Sequence, residues 1–200
     1  MPDVKPRSAL LVVDVQNDFC PGGSLPVEQG DAVVGPLNQY MARCAAAGTP
    51  VFASRDWHPP ETRHFRAQGG PWPSHCVRDT PGAEFHPDLR LPEDASIVTK
   101  GTDPKDDGYS AFEGVDSDER PLAEALLARG VDRLHVGGLA TDYCVRASVL
   151  DARRHGFDVV LLLDAIRGID ARAGDVARAL DEMLRAGVRT ATLDTLDETA

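Results

Sequence analysis

A predicted strand ends and a predicted helix begins within the stretch Gly137-Gly138-Leu139-Ala140-Thr141-Asp142-Tyr143-Cys144-Val145. Residues 133–136 have the pattern of a short strand, and apolar residues recur at helical spacing over residues 144–154. Cys144 is thus predicted in the first turn of a helix, where the helix dipole and unpaired backbone N–H groups lower the pKa of a thiol. The same N–H groups can hold an oxyanion beside the sulfur. Cys144 is a candidate nucleophile, although a free cysteine is also commonly a small buried hydrophobe.

Strand and helix patterns alternate along the whole chain. Residues 9–13 form a continuous apolar run, which is typical of a strand buried on both faces of a parallel sheet. Further strands are predicted at residues 50–54, 96–99, 159–163 and 188–193. Helices are predicted at residues 31–47, from Ser117 or Asp118 to Gly130, and at residues 144–154 and 172–186. We therefore predict an α/β fold, in which a single three-layer α-β-α domain over residues 1–200 contains a doubly wound, six-stranded, mostly parallel sheet.

Composition narrows the class of partner. The chain has 21 Lys and Arg against 32 Asp and Glu, and its net charge of -11 argues against binding to nucleic acid or to an anionic membrane. A small molecule is the expected partner. No apolar run reaches membrane-spanning length, and residues 1–5 lack the features of a signal peptide, so we expect a soluble, cytoplasmic protein. The cysteines form no Cys-x-x-Cys pair and are expected to be reduced thiols: Cys20, Cys44, Cys76 and Cys144.

Four polar groups are predicted to meet at one edge of the sheet. Asp14, Asp56, Lys100 and the corner that contains Cys144 each follow a predicted strand directly. Ligands of open parallel sheets bind beyond the carboxyl ends of the strands, so these groups should face one crevice. Asp14 is the best candidate for the proton transfers, and Lys100 beside it would favour the thiolate. Taken singly, Asp14 is equally compatible with a carboxylate that caps a loop, and Lys100 is more often a solvated lysine.

A candidate metal site follows the second strand. Asp56, His58, His64 and His75 offer one carboxylate and up to three imidazoles, a set that suits Zn²⁺, Fe²⁺ or Mn²⁺. Their spacing matches no short metal motif, so unconnected surface histidines are the alternative interpretation.

Three aromatic residues, Phe19, Trp72 and Tyr109, fall in predicted loops. An aromatic ring in a loop is either a hydrophobic plug or a stacking wall for a flat substrate. Dinucleotide binding is unsupported, because no Gly-x-Gly-x-x-Gly follows the first strand.

Taken together, the motifs resemble the nicotinamidase branch of the isochorismatase-like hydrolases. The motifs that carry the resemblance are Asp14-Val15-Gln16-Asn17-Asp18-Phe19, Asp56-Trp57-His58-Pro59, Trp72-Pro73-Ser74-His75-Cys76, Lys100-Gly101, Tyr109-Ser110-Ala111-Phe112 and Gly138-Leu139-Ala140-Thr141-Asp142-Tyr143-Cys144-Val145. In that family they run in the same order, from about residue 8 to residue 165 in this numbering. One departure is Tyr143, which stands where some relatives carry His.

The resemblance implies a role for each site residue. It implies an Asp14–Lys100–Cys144 triad, and one divalent ion, zinc or iron with manganese as a further option. The implied ligands of the ion are Asp56, His58 and His75, with His64 as an additional ligand in some relatives. It also implies an oxyanion hole from the N–H groups of Ala140 and Cys144, a cis peptide between Leu139 and Ala140, and a pyridine ring surrounded by Phe19, Trp72 and Tyr109.

The implied reaction is hydrolysis of nicotinamide to nicotinate and ammonia through a thioester on Cys144, in pyridine-nucleotide salvage, with pyrazinamide as a further substrate. An amidase of the N-carbamoylsarcosine type is the main alternative, since it shares the triad but not the metal ligands. Isochorismatases typically lack both the cysteine and the metal ligands. A binding protein on the same scaffold is a third hypothesis. The sequence does not decide whether the protein forms a homo-oligomer.

Overall fold

The first strand, β1 (Ser8–Val13), carries apolar side chains on both faces. Ala9, Leu11 and Val13 belong to one buried cluster, and Leu10 and Val12 belong to another. Because side chains alternate along a strand, the sheet must be covered on both sides. The computed structural model, which describes residues 7–196, shows that both sides are covered.

The sheet has six strands, and every neighbouring pair is parallel. The strands after β1 are β2 (Val51–Asp56), β3 (Ser96–Lys100), β4 (Arg133–Leu139), β5 (Asp158–Arg167) and β6 (Arg189–Ala191). Their order across the sheet is β3-β2-β1-β4-β5-β6. The predicted α/β fold with a doubly wound, parallel, six-stranded sheet is confirmed.

Helices form the two outer layers. The helix α1 (Val34–Ala47) covers one face through Leu37 and Met41, and it ends at Gly48, whose φ of 67° supplies the predicted left-handed cap. The other face is covered by α2 (Leu122–Ala128), α3 (Arg146–Arg154) and α4 (Asp175–Arg185). The three-layer prediction is therefore confirmed.

The predicted start of the second helix is wrong. Neither Ser117 nor Asp118 caps α2, which begins at Leu122 after an extended Pro121. The Asp116 carboxylate accepts hydrogen bonds from the backbone N–H groups of Asp118 and Arg120 at 2.9 and 3.0 Å. These bonds close a turn over residues 116–120, which the sequence pattern had assigned partly to the helix.

The strand order reverses between β1 and β4, which are neighbours although two strands separate them in sequence. In a doubly wound sheet the crossovers leave in opposite directions at this point and open a crevice at the carboxyl ends. The backbones come very close here: a Cβ atom added to Gly138, whose φ is 129°, would lie 2.6 Å from the Val13 nitrogen. Asp14 and the corner before Cys144 therefore flank the crevice.

Within residues 7–196, the structure contains no helix that combines the length and the apolarity needed to cross a bilayer. All four cysteines are free. The expectation drawn from residues 1–5, and the outermost parts of the predicted domain at residues 1–6 and 197–200, lie outside the described residues.

The histidine on β4, His135, should make the fold sensitive to acid. Burial, together with Arg133 and Arg189, lowers its pKa to about 4, whereas a histidine in an unfolded chain titrates near pH 6.5. Between these values only the unfolded state binds the proton, so stability is lost as the pH falls through this window, by up to about 1.4 kcal/mol per pH unit. We expect His135→Gln to flatten this loss.

Urea unfolding at pH 7 and pH 5 measures the effect, and the wild-type chain should lose roughly 2 kcal/mol more than His135→Gln between the two pH values. His86→Gln, which replaces a histidine in a loop, serves as the matched control. Equal pH dependence in His135→Gln and the wild type would contradict the assignment.

Candidate active site

Lys100 is the centre of the site. It is the last residue of β3 and pairs in register with Asp56, the last residue of β2. Its ammonium group contacts Asp56 Oδ1, lies 2.8 Å from Asp14 Oδ2, and donates to the Gly108 carbonyl at 2.6 Å. Cys144 Sγ lies 3.6 Å from the same nitrogen. The structure therefore brings together the three residues of the expected triad, with Asp56 against them.

Charge is distributed unequally around this lysine. Burial by itself lowers the pKa of Lys100, but Asp14 and Asp56 outweigh it and hold that pKa well above its usual range. For Asp56, burial is likewise outweighed, by Lys100 and His58, and the pKa lies below its usual value. For Asp14 burial dominates over the attraction to Lys100, so its pKa is raised. Asp56 is thus the permanent counter-ion of Lys100, and Asp14 is the carboxyl group suited to take up a proton.

Cys144 rests as a thiol, which corrects the sequence-based expectation of a lowered pKa. Burial raises its pKa well above the usual range, and the attraction of Lys100 is too small to reverse this. The Asp14 carboxylate is the nearby base. Two contacts orient it: its Oδ1 accepts a hydrogen bond from Ser54 Oγ at 2.7 Å, and its Oδ2 faces Lys100. Ligand atoms of Asp14, Asp56 and Cys144 lie within 4.8 Å of one another. Asp14 can therefore remove the thiol proton when substrate is attacked.

The turn that carries Cys144 differs from the predicted helix start. Thr141–Val145 forms a π-helical turn that leads into α3. The Ala140 carbonyl accepts hydrogen bonds from the N–H groups of Tyr143 and Val145, both at 3.1 Å. The peptide between Leu139 and Ala140 is cis, as the resemblance implied. Ala140 and Cys144 border the same pocket, and their pairing as an oxyanion hole stays a prediction.

Three histidines form a buried triangle beside the triad. Ring centroids are separated by 5.0 Å for His58 and His64, 5.2 Å for His58 and His75, and 5.5 Å for His64 and His75. One nitrogen from each ring lies within 4.8 Å of the others. Asp56 reaches the edge of the triangle, since its Oδ2 lies 3.7 Å from His58 Nε2. The structure therefore groups all four predicted ligands, His64 included.

The rings are oriented as metal ligands usually are. His58 Nδ1 lies 3.0 Å from the Gly101 carbonyl, and His75 Nδ1 lies 2.8 Å from the Pro73 carbonyl. Such bonds fix the tautomer that leaves Nε2 free to bind a metal. His58 Nε2 and His64 Nδ1 are buried without a hydrogen-bond partner, and buried polar atoms rarely remain so. A Cβ atom on Gly101 would lie 2.6 Å from His58 Cε1, so this position requires glycine.

The protonation states also suit a metal. Burial, reinforced by the other two imidazoles, lowers the pKa of His64 to about 4. Burial also lowers the pKa of His75, although Asp56 opposes it. Neutral imidazoles are the form that binds metal. The three imidazoles of the triangle, together with the ionised Asp56 carboxylate, are a donor set that fits a divalent transition metal.

The predicted aromatic residues wall a pocket over Cys144. Phe19, Trp72 and Tyr109 all line it. Trp72 Nε1 donates to the Tyr109 hydroxyl at 2.9 Å, and the Phe19 ring lies 5.5 Å from the ring of His75. These aromatic residues therefore form walls of the pocket, and their contact with a flat substrate stays a prediction.

Comparisons with known proteins agree with this geometry. Residues 8–195 match the isochorismatase domain. The chain belongs to the isochorismatase family. It is 40% identical to the nicotinamidase of Escherichia coli over 97% of this chain and 99% of that protein. It is 43% identical to the nicotinamidase/pyrazinamidase of Mycobacterium tuberculosis, over 90% of this chain and 96% of that protein. A crystal structure of Pyrococcus horikoshii pyrazinamidase in complex with zinc is 48% identical, with a TM-score of 0.86, and the match covers 94% of this chain and 100% of that one.

Several residues of this isochorismatase-family site escaped the sequence analysis. Leu25 and Ile169 line the pocket wall beside Tyr143, which the sequence had marked only as a departure from relatives, and Ser54 bonds to Asp14. Ile169 follows β5, so the rule that sites gather after parallel strands could have found it. Leu25 lies in an irregular loop and gives no comparable signal.

Proposed function

We propose that this member of the isochorismatase family is a metal-dependent nicotinamidase, which hydrolyses nicotinamide to nicotinate and ammonia and also deamidates pyrazinamide. The observation that carries the proposal is the position of Lys100, which joins a nucleophile and its base on one side to Asp56 and the histidine triangle on the other. The pocket over Cys144 is lined by aromatic side chains, which suits the binding of a flat ring. Relatives named nicotinamidase match almost the whole chain.

The proposed mechanism uses this chain's own groups in sequence. Asp14 takes the proton of Cys144, and the thiolate attacks the carboxamide carbon. The N–H groups of Ala140 and Cys144 stabilise the oxyanion, while Lys100 stays protonated and balances the charge of Asp56. Asp14 then gives its proton to the departing ammonia. A water molecule that Asp14 deprotonates attacks the thioester, the bond between carbon and sulfur breaks to release nicotinate, and Asp14 returns the proton to the Cys144 sulfur.

The proposed metal ligands are Asp56, His58, His64 and His75. When bound, a divalent ion supplies a Lewis-acidic point to which a pyridine ring nitrogen can coordinate. We propose zinc or iron, with manganese as a further option, because nitrogen and oxygen donors accept each of these ions. Since nicotinate feeds the resynthesis of pyridine nucleotides, the proposal includes a cytoplasmic role in their salvage.

An N-carbamoylsarcosine-type amidase is less well supported. Such an activity needs the Asp14, Lys100 and Cys144 groups but has no use for the three inward-facing imidazoles. The histidine triangle therefore favours a pyridine carboxamide.

Ammonia release from nicotinamide by the purified protein, with metal content determined on the same sample, tests the proposal. We expect release that rises with the fraction of protein carrying metal. Release from carbamoyl compounds but not from nicotinamide would contradict it.

Loss of a metal-binding histidine should remove the metal first and activity with it. We expect His58→Ala and His75→Ala to weaken metal binding by at least about 100-fold, since even outer-shell substitutions cost 10–100-fold. Elemental analysis after dialysis measures the change, with His86→Ala as a control away from the triangle. Full metal content in both variants would show that the ligands are misassigned.

A further inference from the structure

The segment that follows β1 buries alternate polar side chains behind the site. These are Asp14, Gln16 and Asp18, which are 0%, 0% and 8% exposed, whereas Asn17 between them points outward and bonds to the Pro81 carbonyl. The backbone turns sharply at Asp14, whose φ is 47°. Left-handed conformations of residues other than glycine are uncommon and concentrate at functional sites. Only Asp14 of these three residues has a place in the mechanism above.

Gln16 holds the backbone of Asp56. Its Oε1 accepts a hydrogen bond from the Asp56 N–H at 2.8 Å, and its Nε2 donates to the Asp56 carbonyl at 2.8 Å. The same Nε2 donates to the Ala83 carbonyl at 2.8 Å. The pairing of β1 with β2 ends at Val13 and Ser54, whereas β2 continues to Asp56. The side chain of Gln16 therefore supplies the hydrogen bonds that a longer β1 would have made to the Asp56 backbone. On its other side Asp56 pairs with Lys100, so the backbone of Asp56 is fixed from both sides.

Asp18 performs the equivalent task for the loop that carries His75. Its Oδ2 accepts a hydrogen bond from the Cys76 N–H at 2.7 Å, directly after His75, and its Oδ1 accepts one from the Ser24 N–H at 3.0 Å. Gly82 packs directly on the carboxylate and leaves no space for a side chain there. Hydrogen bonds from N–H groups to an ionised carboxylate are stronger than neutral ones. The loop of His75 is therefore tied to the segment that begins with Asp14.

We propose that Gln16 and Asp18 are positioning residues, which hold the candidate metal ligands Asp56 and His75 at fixed places relative to the Asp14–Lys100–Cys144 triad. The inference rests on the metal site of the proposed function. One short segment then supplies the base and sets the positions of two metal ligands from different loops. Groups that orient metal ligands typically contribute 10–100-fold to affinity.

Titration of metal-depleted protein with Co²⁺, followed by its visible absorption, tests the inference. Gln16→Met has a similar shape and unchanged charge but makes none of the three hydrogen bonds, and we expect its Kd for Co²⁺ to rise about 10–100-fold, with an altered absorption band. Asp18→Asn offers one acceptor oxygen to the two backbone N–H groups of Ser24 and Cys76, so one of these bonds is lost, and it should raise the Kd similarly. Asn17→Ala is the matched control, because it removes an outward hydrogen bond of the same segment, and its Kd should stay within about threefold of the wild type.

A folded Gln16→Met protein with the wild-type Kd and absorption band would overturn the inference. If Gln16→Met does not fold by circular dichroism, Gln16→Asn decides in its place, since its amide is one methylene too short to reach both carbonyls. A rise in Kd for Asn17→Ala equal to that for Gln16→Met would also overturn it, because the effect would then be general loosening of the segment. A wild-type protein that binds no Co²⁺ would instead contradict the proposed metal site.

Discussion

Cys144→Ala is expected to lower kcat for nicotinamide by about 10⁴-fold or more, the scale seen when a catalytic nucleophile is removed. In the proposed mechanism its sulfur is the atom that attacks the carboxamide, and among the described residues that line the pocket no other carries a thiol. The fold should survive, because Lys100 keeps its contacts with Asp14, Asp56 and the Gly108 carbonyl and no charge loses its partner. Removing one buried sulfur should cost only about 1 kcal/mol.

Ammonia release, metal content and thermal unfolding of the same Cys144→Ala preparation check this result. Cys44→Ala is the matched control, since Cys44 is a half-buried thiol on α1 whose pKa burial raises to about 11. It should retain full activity. Residual turnover in Cys144→Ala above a few per cent of the wild-type rate would rule out the nucleophile assignment.

The rule that polar groups meet beyond parallel strands located most of the site from sequence. It needed only the strand patterns and the residues that follow them. The structure places Asp14, Asp56 and Cys144 around the ammonium nitrogen of Lys100. Register and strand order are not visible in such patterns. They make Asp56 and Lys100 direct neighbours, a contact that sequence reasoning did not anticipate.

The error on Cys144 has a different cause. The sequence shows the helix and the lysine, both of which favour a thiolate, but it does not show how completely the sulfur is removed from water. Burial outweighs the attraction of Lys100, and the neighbouring Asp14 and Asp56 raise the pKa of the thiol further. Gln16 was missed for a related reason. It bonds to the end of β2 because β2 extends beyond its pairing with β1, and strand pairing is visible only in the structure.

Lys100→Met should be the most destabilising single substitution in the site. The lysine is fully buried between Asp14 and Asp56. A methionine fills a similar volume but leaves two buried carboxyl groups without their cation, and breaking a buried ion pair in this way costs about 3–5 kcal/mol. We expect a loss of that size in the free energy of urea unfolding of the metal-free protein at pH 7, together with loss of turnover.

A second substitution, Asp14→Asn, separates the contribution of charge from that of packing to the stability lost in Lys100→Met. If the cost of Lys100→Met comes from uncompensated carboxylates, the double variant Asp14→Asn/Lys100→Met should recover part of the lost stability, because one negative charge is gone. A saturating divalent metal should also recover part of it, since the ion binds only the folded state and adds positive charge beside Asp56. Lowering the pH should act in the same direction: carboxyl groups whose folded pKa lies above the unfolded value stabilise the fold as they take up protons. A loss below about 1 kcal/mol, or one that neither the second substitution nor metal reduces, would mean that Lys100 contributes mainly by packing and does not balance the charges of the site.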